Sequence, residues 1–402
     1  MGQQSGSNSS GIRRFNERLI LTMLSKHGPL SKTELSEVTE LTKQAVVRIV
    51  DILHEKGLVI LKSKRVTGKG RPSELYALNT KGAYSIGVMI GRREVKIVLM
   101  DIGGNIVDEA IESYGYPEPH DLVVFITRHV PNFLGQLNNA QRQRLKGLGV
   151  AMPWFLGRWS DGKEMPVDVA QKWESFDIKK ELEDELNMPI YVSNDCTSAA
   201  AAELLFGQGK KCSSYLYIYI DSFIGGGLVL KGNVEAGVHA NSAALASYPV
   251  SPSNSPSLSA PKRSSEILLN RASLMSLIDY LNFKGYEVDN LVDLQRGLDA
   301  DNFVFDEWVN DCSQAIAELI VGSNTLLDYN AVIIDVNITG PFLSNLTEKT
   351  EIFVKELLER DIYEPQIIKG DLGKRAIMMG AAILPFYSNF AADKSVLFKA
   401  NT

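Results

Sequence analysis

Apolar residues recur at helical spacing in two short, adjacent segments near the start of the chain. Residues 31–57 read SKTELSEVTELTKQAVVRIVDILHEKG. The first segment places Leu35 and Val38 on one side. The second places Ala45, Val46, Ile49, Ile52 and Leu53 on one side, and Thr42 offers a side-chain oxygen to cap its start. Upstream, Phe15, Leu19, Ile20, Met23 and Leu24 form a third helical stripe over residues 15–26, which His27-Gly28-Pro29 ends. After Gly57 the runs LVILKSKRV and SELYAL read as two strands of a hairpin whose tip is Thr67-Gly68-Lys69-Gly70-Arg71-Pro72. Three helices and a hairpin predict a winged helix-turn-helix.

From Tyr84 the period changes. Residues 85–100 (SIGVMIGRREVKIVLM) predict a strand, a tight turn and a second strand. Asp101-Ile102-Gly103-Gly104-Asn105 then makes a hairpin turn into a third strand, which accounts for its glycines without a phosphate. Further along, 147–152 reads as a buried strand and 178–186 as an amphipathic helix. A short strand, 190–192, runs into Asn194-Asp195 and the alanine-rich helix 198–206. Residues 214–220 and 226–230 are strands around a turn, 331–338 is a strand before Thr339-Gly340-Pro341, and 380–384 belongs to a late helix. Residues 247–265, rich in serine and proline, read as a loop. Such alternation calls for an α/β body in two lobes. The expected division is a disordered tail (1–11), a head (12–82) and a body (83–402), with lobes of about 83–193 plus the C-terminal helix and about 194–380.

At 402 residues the chain can bury a substantial core in two or three domains. No apolar run is long enough to span a membrane, and MGQQSGSNSSG lacks the charged-then-apolar order of a secretory signal. Cys196, Cys212 and Cys312 are too scattered for a disulfide framework or a metal pair. The cytoplasm is the expected compartment. The net charge of −6 hides an asymmetry: residues 1–82 hold 14 Lys and Arg against 7 Asp and Glu, a surplus of +7, so the remainder carries −13. A basic first fifth on an acidic body suits a DNA-binding head carried by a domain that does not touch DNA.

Within the head, Lys43, Gln44 and Arg48 fall on the face that the apolar stripe leaves free, together with Thr42 at its start. A second helix with polar and basic residues near its beginning is what enters a major groove, although an ordinary helical hairpin with a solvated face would share the periodicity. Lys62, Lys64, Arg65, Lys69 and Arg71 concentrate in the hairpin, where phosphates favour them through counterion release. Gly-Lys-Gly-Arg-Pro at the tip is also the composition of an arginine held for a narrow A·T minor groove; a plain glycine-rich turn reads the same way.

These features together resemble the ROK family of repressors, open reading frames and sugar kinases. The body's most specific pieces are Trp173, then Met188-Pro189-Ile190-Tyr191-Val192-Ser193-Asn194-Asp195, residues 199–203, and Ile224-Gly225-Gly226-Gly227 with Lys231-Gly232. The resemblance covers nearly the whole chain after the tail. It implies a winged helix-turn-helix head on a two-lobed, actin-like (ribonuclease H-like) sugar-kinase body. In the family's kinases the Asp of the Asn-Asp pair is the general base toward a sugar hydroxyl, which places that role at Asp195 and a sugar ligand at Asn194. An Asn-Asp pair after a strand also serves as a helix cap.

The chain departs from the family at several places. Where the family's phosphate turn reads Gly-Thr-Gly-Ile-Gly-x-Gly, this chain has Asp221-Ser222-Phe223-Ile224-Gly225-Gly226-Gly227, and a carboxylate and a phenyl ring oppose phosphate. Gly91-Arg92-Arg93-Glu94 lacks the kinases' Gly-Gly-Thr, and Thr339-Gly340-Pro341 stands where a paired glycine is expected. The family's zinc ligands, aligned back from Glu266, fall on Ser247, Ser257, Ser259 and Ser264, and neutral hydroxyls do not replace thiolate and imidazole. Of the sugar ligands Asn194, Asp195 and Glu266 remain, while Ala244 and Ser247 stand at two lost positions. Trp154, after Pro153, could stack on a ligand or belong to the core.

The resemblance and its departures imply a DNA-binding transcriptional regulator, a repressor, with no cofactor, no metal and no catalytic residue, Asp195 marking a vestigial base position. Its partner would be a two-fold-related, A·T-containing double-stranded DNA operator bound by a homodimer or homotetramer. The effector would be a sugar or sugar derivative; a different effector, or none, stays open. The alternatives are an active ATP-dependent sugar kinase with an accessory DNA-binding head, and a regulator controlled by a protein partner.

Overall fold

The computed structural model describes residues 9–65, 72–158, 165–253, 255, 257 and 264–392. The head begins with α1 (Ser9–His27), followed by β1 (Leu30–Ser31), α2 (Lys32–Thr39), α3 (Lys43–Glu55), β2 (Val59–Arg65) and β3 (Ser73–Leu78). The three strands pair in the order β1-β3-β2, which makes a winged helix. Its core is Ile20, Leu24, Leu35, Val46, Ile49, Val50, Leu53 and Val59, all buried. Two expectations change. Residues 9–11, assigned to a disordered tail, form the first turn of α1, where backbone N–H groups have no intrahelical acceptor and serine or glycine costs little. Val38, placed on the inner side of α2, is 44% exposed. An eight-residue helix buries one narrow stripe, and Leu35 fills it.

The body divides between two compact units, which the packing delimits as Met1–Ser193 with Ala381–Thr402, and Asn194–Gly380. The first also holds the head. After the head it comprises β4 (Tyr84–Ile90), β5 (Glu94–Asp101), β6 (Ile106–Ser113), α4 (Pro119–Gln136), α5 (Asn139–Arg142), β7 (Leu145–Met152), α6 (Val167–Ser175), α7 (Ile178–Leu186) and β8 (Ile190–Asn194). Its sheet runs β6-β5-β4-β7-β8, an antiparallel meander continued by β7 parallel to β4. β4 is buried at all seven positions, as expected of a strand covered on both faces. Asp101 accepts from the backbone N–H groups of Gly103 (2.9 Å) and Asn105 (3.0 Å), so the Asp-Ile-Gly-Gly segment is a hairpin turn held by its own carboxylate.

The second unit continues with α8 (Asp195–Phe206), β9 (Tyr215–Ile220), β10 (Ile224–Leu230), β11 (Asn233–Glu235), β12 (Pro249–Val250), β13 (Glu266–Ile267), α9 (Leu268–Arg271), α10 (Leu274–Phe283), α11 (Leu291–Asp299), α12 (Asp306–Leu327), β14 (Ala331–Val336), α13 (Phe342–Leu357) and β15 (Gln366–Lys369); the last helix, α14 (Ala376–Phe390), starts in this unit and from Ala381 on belongs to the first. Its sheet order, β11-β10-β9-β14-β15, follows that of the first unit: three antiparallel strands, then a strand parallel to the third, and here β15 continues parallel to β14. This duplicated arrangement is the two-lobed α/β body that the alternation of strands and helices calls for. The 247–265 stretch is not wholly loop, because Pro249–Val250 pairs with Glu266–Ile267.

Two buried carboxylates fix the chain between β15 and α14. Glu203 accepts from the N–H groups of Asp371 and Leu372 (both 3.0 Å) and Gln208 (2.8 Å). Asp335 accepts from Gly373 N–H (2.9 Å) and the Tyr217 hydroxyl (3.3 Å). Burial, then the Glu203 carboxylate, pushes Asp335 from 3.8 up to about 7. The folded state therefore keeps a proton that the unfolded chain releases, and stability falls as pH rises from about 4 to about 7. Asp335→Asn should flatten that slope, read as the difference in urea midpoint between about pH 4 and about pH 7 in variant and wild type.

Candidate nucleic-acid interface

Side-chain caps set the start of both helices of the hairpin. Ser31 Oγ accepts from Glu34 N–H (3.2 Å) and the Glu34 carboxylate accepts from Ser31 N–H (2.8 Å), a reciprocal box at the start of α2. Glu40 in the left-handed region (φ 57°) ends α2, and Thr42 Oγ1 accepts from Ala45 N–H (3.3 Å) to begin α3. The chain thus turns within three residues and sends α3 off with its inner face on the core. Thr42, Lys43, Gln44 and Arg48 are all exposed together on its first two turns. Val47, which the helical pattern did not single out, joins them at 42% exposed.

The hairpin carries the second group. Lys62, Lys64 and Arg65 are exposed along β2. The β2–β3 register shifts between Leu61 and Ser63, which leaves Lys62 as the extra residue of a bulge, a device that re-aims a side chain. Lys64 Nζ lies 3.5 Å from Glu74 of β3. Arg65 pairs with Glu34, tying the wing to the start of α2. The Ser31 backbone N–H first, then Arg65, holds Glu34 at about 2, well below the usual carboxylate range. Lys69 and Arg71 lie outside the described residues. Sequence reading missed Lys32, at the first position of α2. It donates to Asp51 of α3 (2.6 Å) and sits over the Tyr76 ring (5.1 Å from the centroid). Burial opposes its charge, but Asp51 and Tyr76 more than offset this and raise its pKa. The pair joins the two helices and neutralises the carboxylate beside the outer face of α3.

In the second unit Asn194 and Asp195 stand at the start of α8. Asn194 is the cap, accepting from Cys196 (3.1 Å) and Thr197 (3.2 Å), and Asp195 Oδ1 accepts from Cys196 N–H (2.7 Å). Glu266 is engaged locally, by Ile267 N–H (2.7 Å) and Asn270 Nδ2 (2.8 Å), and no hydrogen bond joins it to Asn194. Trp154 packs at the edge of the first unit's core.

The glycine-rich hairpin also has a structural reading. A Cβ on Gly225 would lie 2.4 Å from Cys196 Sγ, and one on Gly227 2.5 Å from Ala200 Cβ, so these glycines let β10 approach α8. At the tip, Asp221 and Ser222 carbonyls accept from Leu274 (2.8 Å) and Met275 (3.3 Å), closing the turn onto the start of α10.

Serine hydroxyls at positions 247, 257, 259 and 264 are a poor donor set for zinc. Ser247 closes a short 3-10 turn and Ser257 Oγ is 2.8 Å from Ser255 Oγ; Ser259 lies outside the described residues. Among the described residues, no group of three or more His, Cys, Asp or Glu side chains is placed to hold a metal ion. An ion-pair network occupies this part of the fold. Arg271, 1% exposed, donates through Nε and Nη2 to Asp311 (3.1 and 2.9 Å) and through Nη1 to Ser251 O (2.9 Å), with Glu318 at 3.7 Å. Ser251 and Ser253 hydroxyls bond to Glu318 and Asp311.

A family model described as the ROK family matches residues 85–386, about three quarters of the chain, and one described as the MarR family matches residues 14–70. The Xylose repressor of Bacillus subtilis (strain 168) is 25% identical over 230 residues, 56% of this chain and 58% of that protein. The DNA-binding transcriptional repressor Mlc of Escherichia coli (strain K12) is 24% identical over 245 residues, 58% of this chain and 57% of that protein. The chain thus matches somewhat more than half the length of these two relatives. Among solved structures, a ROK family transcriptional regulator, a homolog of the E. coli MLC protein, has a TM-score of 0.69 at 19% identity and covers 96% of this chain and 99% of that one. A ROK hexokinase from Thermus thermophilus has a TM-score of 0.56 at 19% identity, covering 76% and 98%. These likenesses show a shared fold: a MarR-like winged-helix head on a sugar-kinase-like body. The chain belongs to the ROK family.

Proposed function

We propose that the protein is a DNA-binding transcriptional repressor and not an enzyme. The observation that carries this is the exposed group on α3, Thr42, Lys43, Gln44 and Arg48, presented by a capped helix-turn-helix beside a lysine-bearing wing. In this arrangement α3 enters a major groove, with Gln44 and Arg48 reading base edges. Lys62 and Lys64 contact phosphate, as does Arg65 to the extent that it exchanges Glu34 for DNA. Lys69 and Arg71 belong to the same proposal, the latter as a minor-groove contact to A·T pairs.

A homodimer or homotetramer would present two heads to a two-fold-related operator. Names of relatives such as Xylose repressor support a sugar-like effector. Asn194, Asp195 and Glu266 are the residues proposed to contact it, and it would act by binding one arrangement of the heads better than another. The cytoplasm is the proposed compartment; among the described residues no helix is long and apolar enough to cross a membrane.

The test is selection of bound duplexes from a random pool by the full chain. Enrichment of a two-fold-related site supports the reading, and failure to retain any duplex sinks it. A sugar kinase is the second reading, favoured by Asp195 at the start of α8. Sugar-dependent ATP turnover abolished by Asp195→Asn would establish it.

A further inference from the structure

The exposed side of α3 is polar except at one position. Val46, Ile49, Val50 and Leu53 fill the core face, whereas Val47 points away at 42% exposed, on the same side as Gln44 and Arg48. It lies one turn on from Lys43, within the part of the helix that reaches deepest into a groove. A shallow depression of about 570 Å³ borders it, lined by Gln44, Val47, Arg48, Asp51, Ile52 and Glu55. The nearest carboxylate there, Asp51, is neutralised by Lys32 at 2.6 Å. Val47 therefore offers two methyl groups beside one amide and one guanidinium, with no role in the head's core.

We propose that Val47 is a specificity residue that packs on the C5-methyl of a thymine in the major groove. Thymine alone presents a methyl group on that edge, and an apolar side chain is its complement. Gln44, one turn earlier, has the donor and acceptor for an adenine, and Arg48 the paired donors for a guanine. The bound site then holds a thymine next to bases that hydrogen-bond to α3. The inference rests on the DNA-binding reading and adds to it a base and a chemical group.

The experiment uses the full chain and a duplex recovered by selection. Each thymine is replaced singly by deoxyuridine, which removes the methyl and keeps the hydrogen-bonding groups. Affinity is read by fluorescence anisotropy. One thymine is expected to matter, weakening the wild type about fourfold, the worth of one buried methyl-sized group. Val47→Ala should weaken binding to the thymine duplex by a similar factor and be indifferent to deoxyuridine at that position, with an unchanged circular dichroism spectrum. Wild-type binding that tolerates every replacement would overturn the proposal and leave DNA binding standing. So would a Val47→Ala variant that keeps the full deoxyuridine penalty. Absence of binding to any duplex would overturn both.

Discussion

Replacing Arg271 with methionine is expected to destabilise the Asn194–Gly380 unit by about 3–5 kcal/mol, the cost of removing one partner from a buried ion pair. The guanidinium is almost wholly buried and makes two bonds to the Asp311 carboxylate, with Glu318 behind. Methionine fills most of the space but leaves Asp311 without its fork and the Ser251 carbonyl without its donor. Uncompensated buried charge, not lost volume, accounts for the effect. Arg271→Lys should fall between, since lysine restores charge without the planar pair of donors. Guanidinium chloride midpoints on the full chain, with tryptophan fluorescence for Trp308 in this unit, provide the measurement. A loss below about 1 kcal/mol would mean the network contributes no more than a surface pair.

The second large effect is expected at the head. Arg48→Ala should cost about 1–3 kcal/mol of affinity for the best site and relax preference at one base position, as removal of a bidentate pair of hydrogen bonds to a base does. Lys62→Ala should weaken all sequences nearly equally and lower the salt slope by about one. The two side chains differ because Arg48 rides on the helix proposed to enter the groove, whereas Lys62 sits in a strand bulge of the wing. Affinity for the selected duplex and for a scrambled one separates the cases. A uniform loss for Arg48→Ala would reassign it to phosphate.

The fold is legible wherever local chemistry decides local structure. Thr42 caps α3 as its hydroxyl suggests, α7 spans Ile178–Leu186, and Asn194 caps the helix that follows β8. Phase in a short helix is less informative. Leu35 is buried and Val38 is not, and Val47 stands out of the pattern because the stripe beside it is already complete. Partners distant in sequence are not legible. Arg65 is read from composition as a phosphate contact, yet in the folded chain Glu34, 31 residues away, holds it. The serine segment shows only what zinc would lack, while what holds it comes from Arg271 and Asp311, 40 residues apart in the chain. Glycines 225 and 227 carry a third lesson: a glycine run that reads as a phosphate turn is required here by the close packing of β10 on α8.

The central claim, that the head of this ROK protein binds duplex DNA through α3 and the wing, is tested most directly by the salt dependence of its affinity. The full chain is titrated onto the selected duplex from about 50 to about 200 mM salt, a range over which several phosphate contacts change affinity by orders of magnitude. The account predicts a linear fall of log affinity with log salt concentration, reduced by about one when Lys62 becomes alanine. A flat dependence, or no binding at the lowest salt, would contradict it.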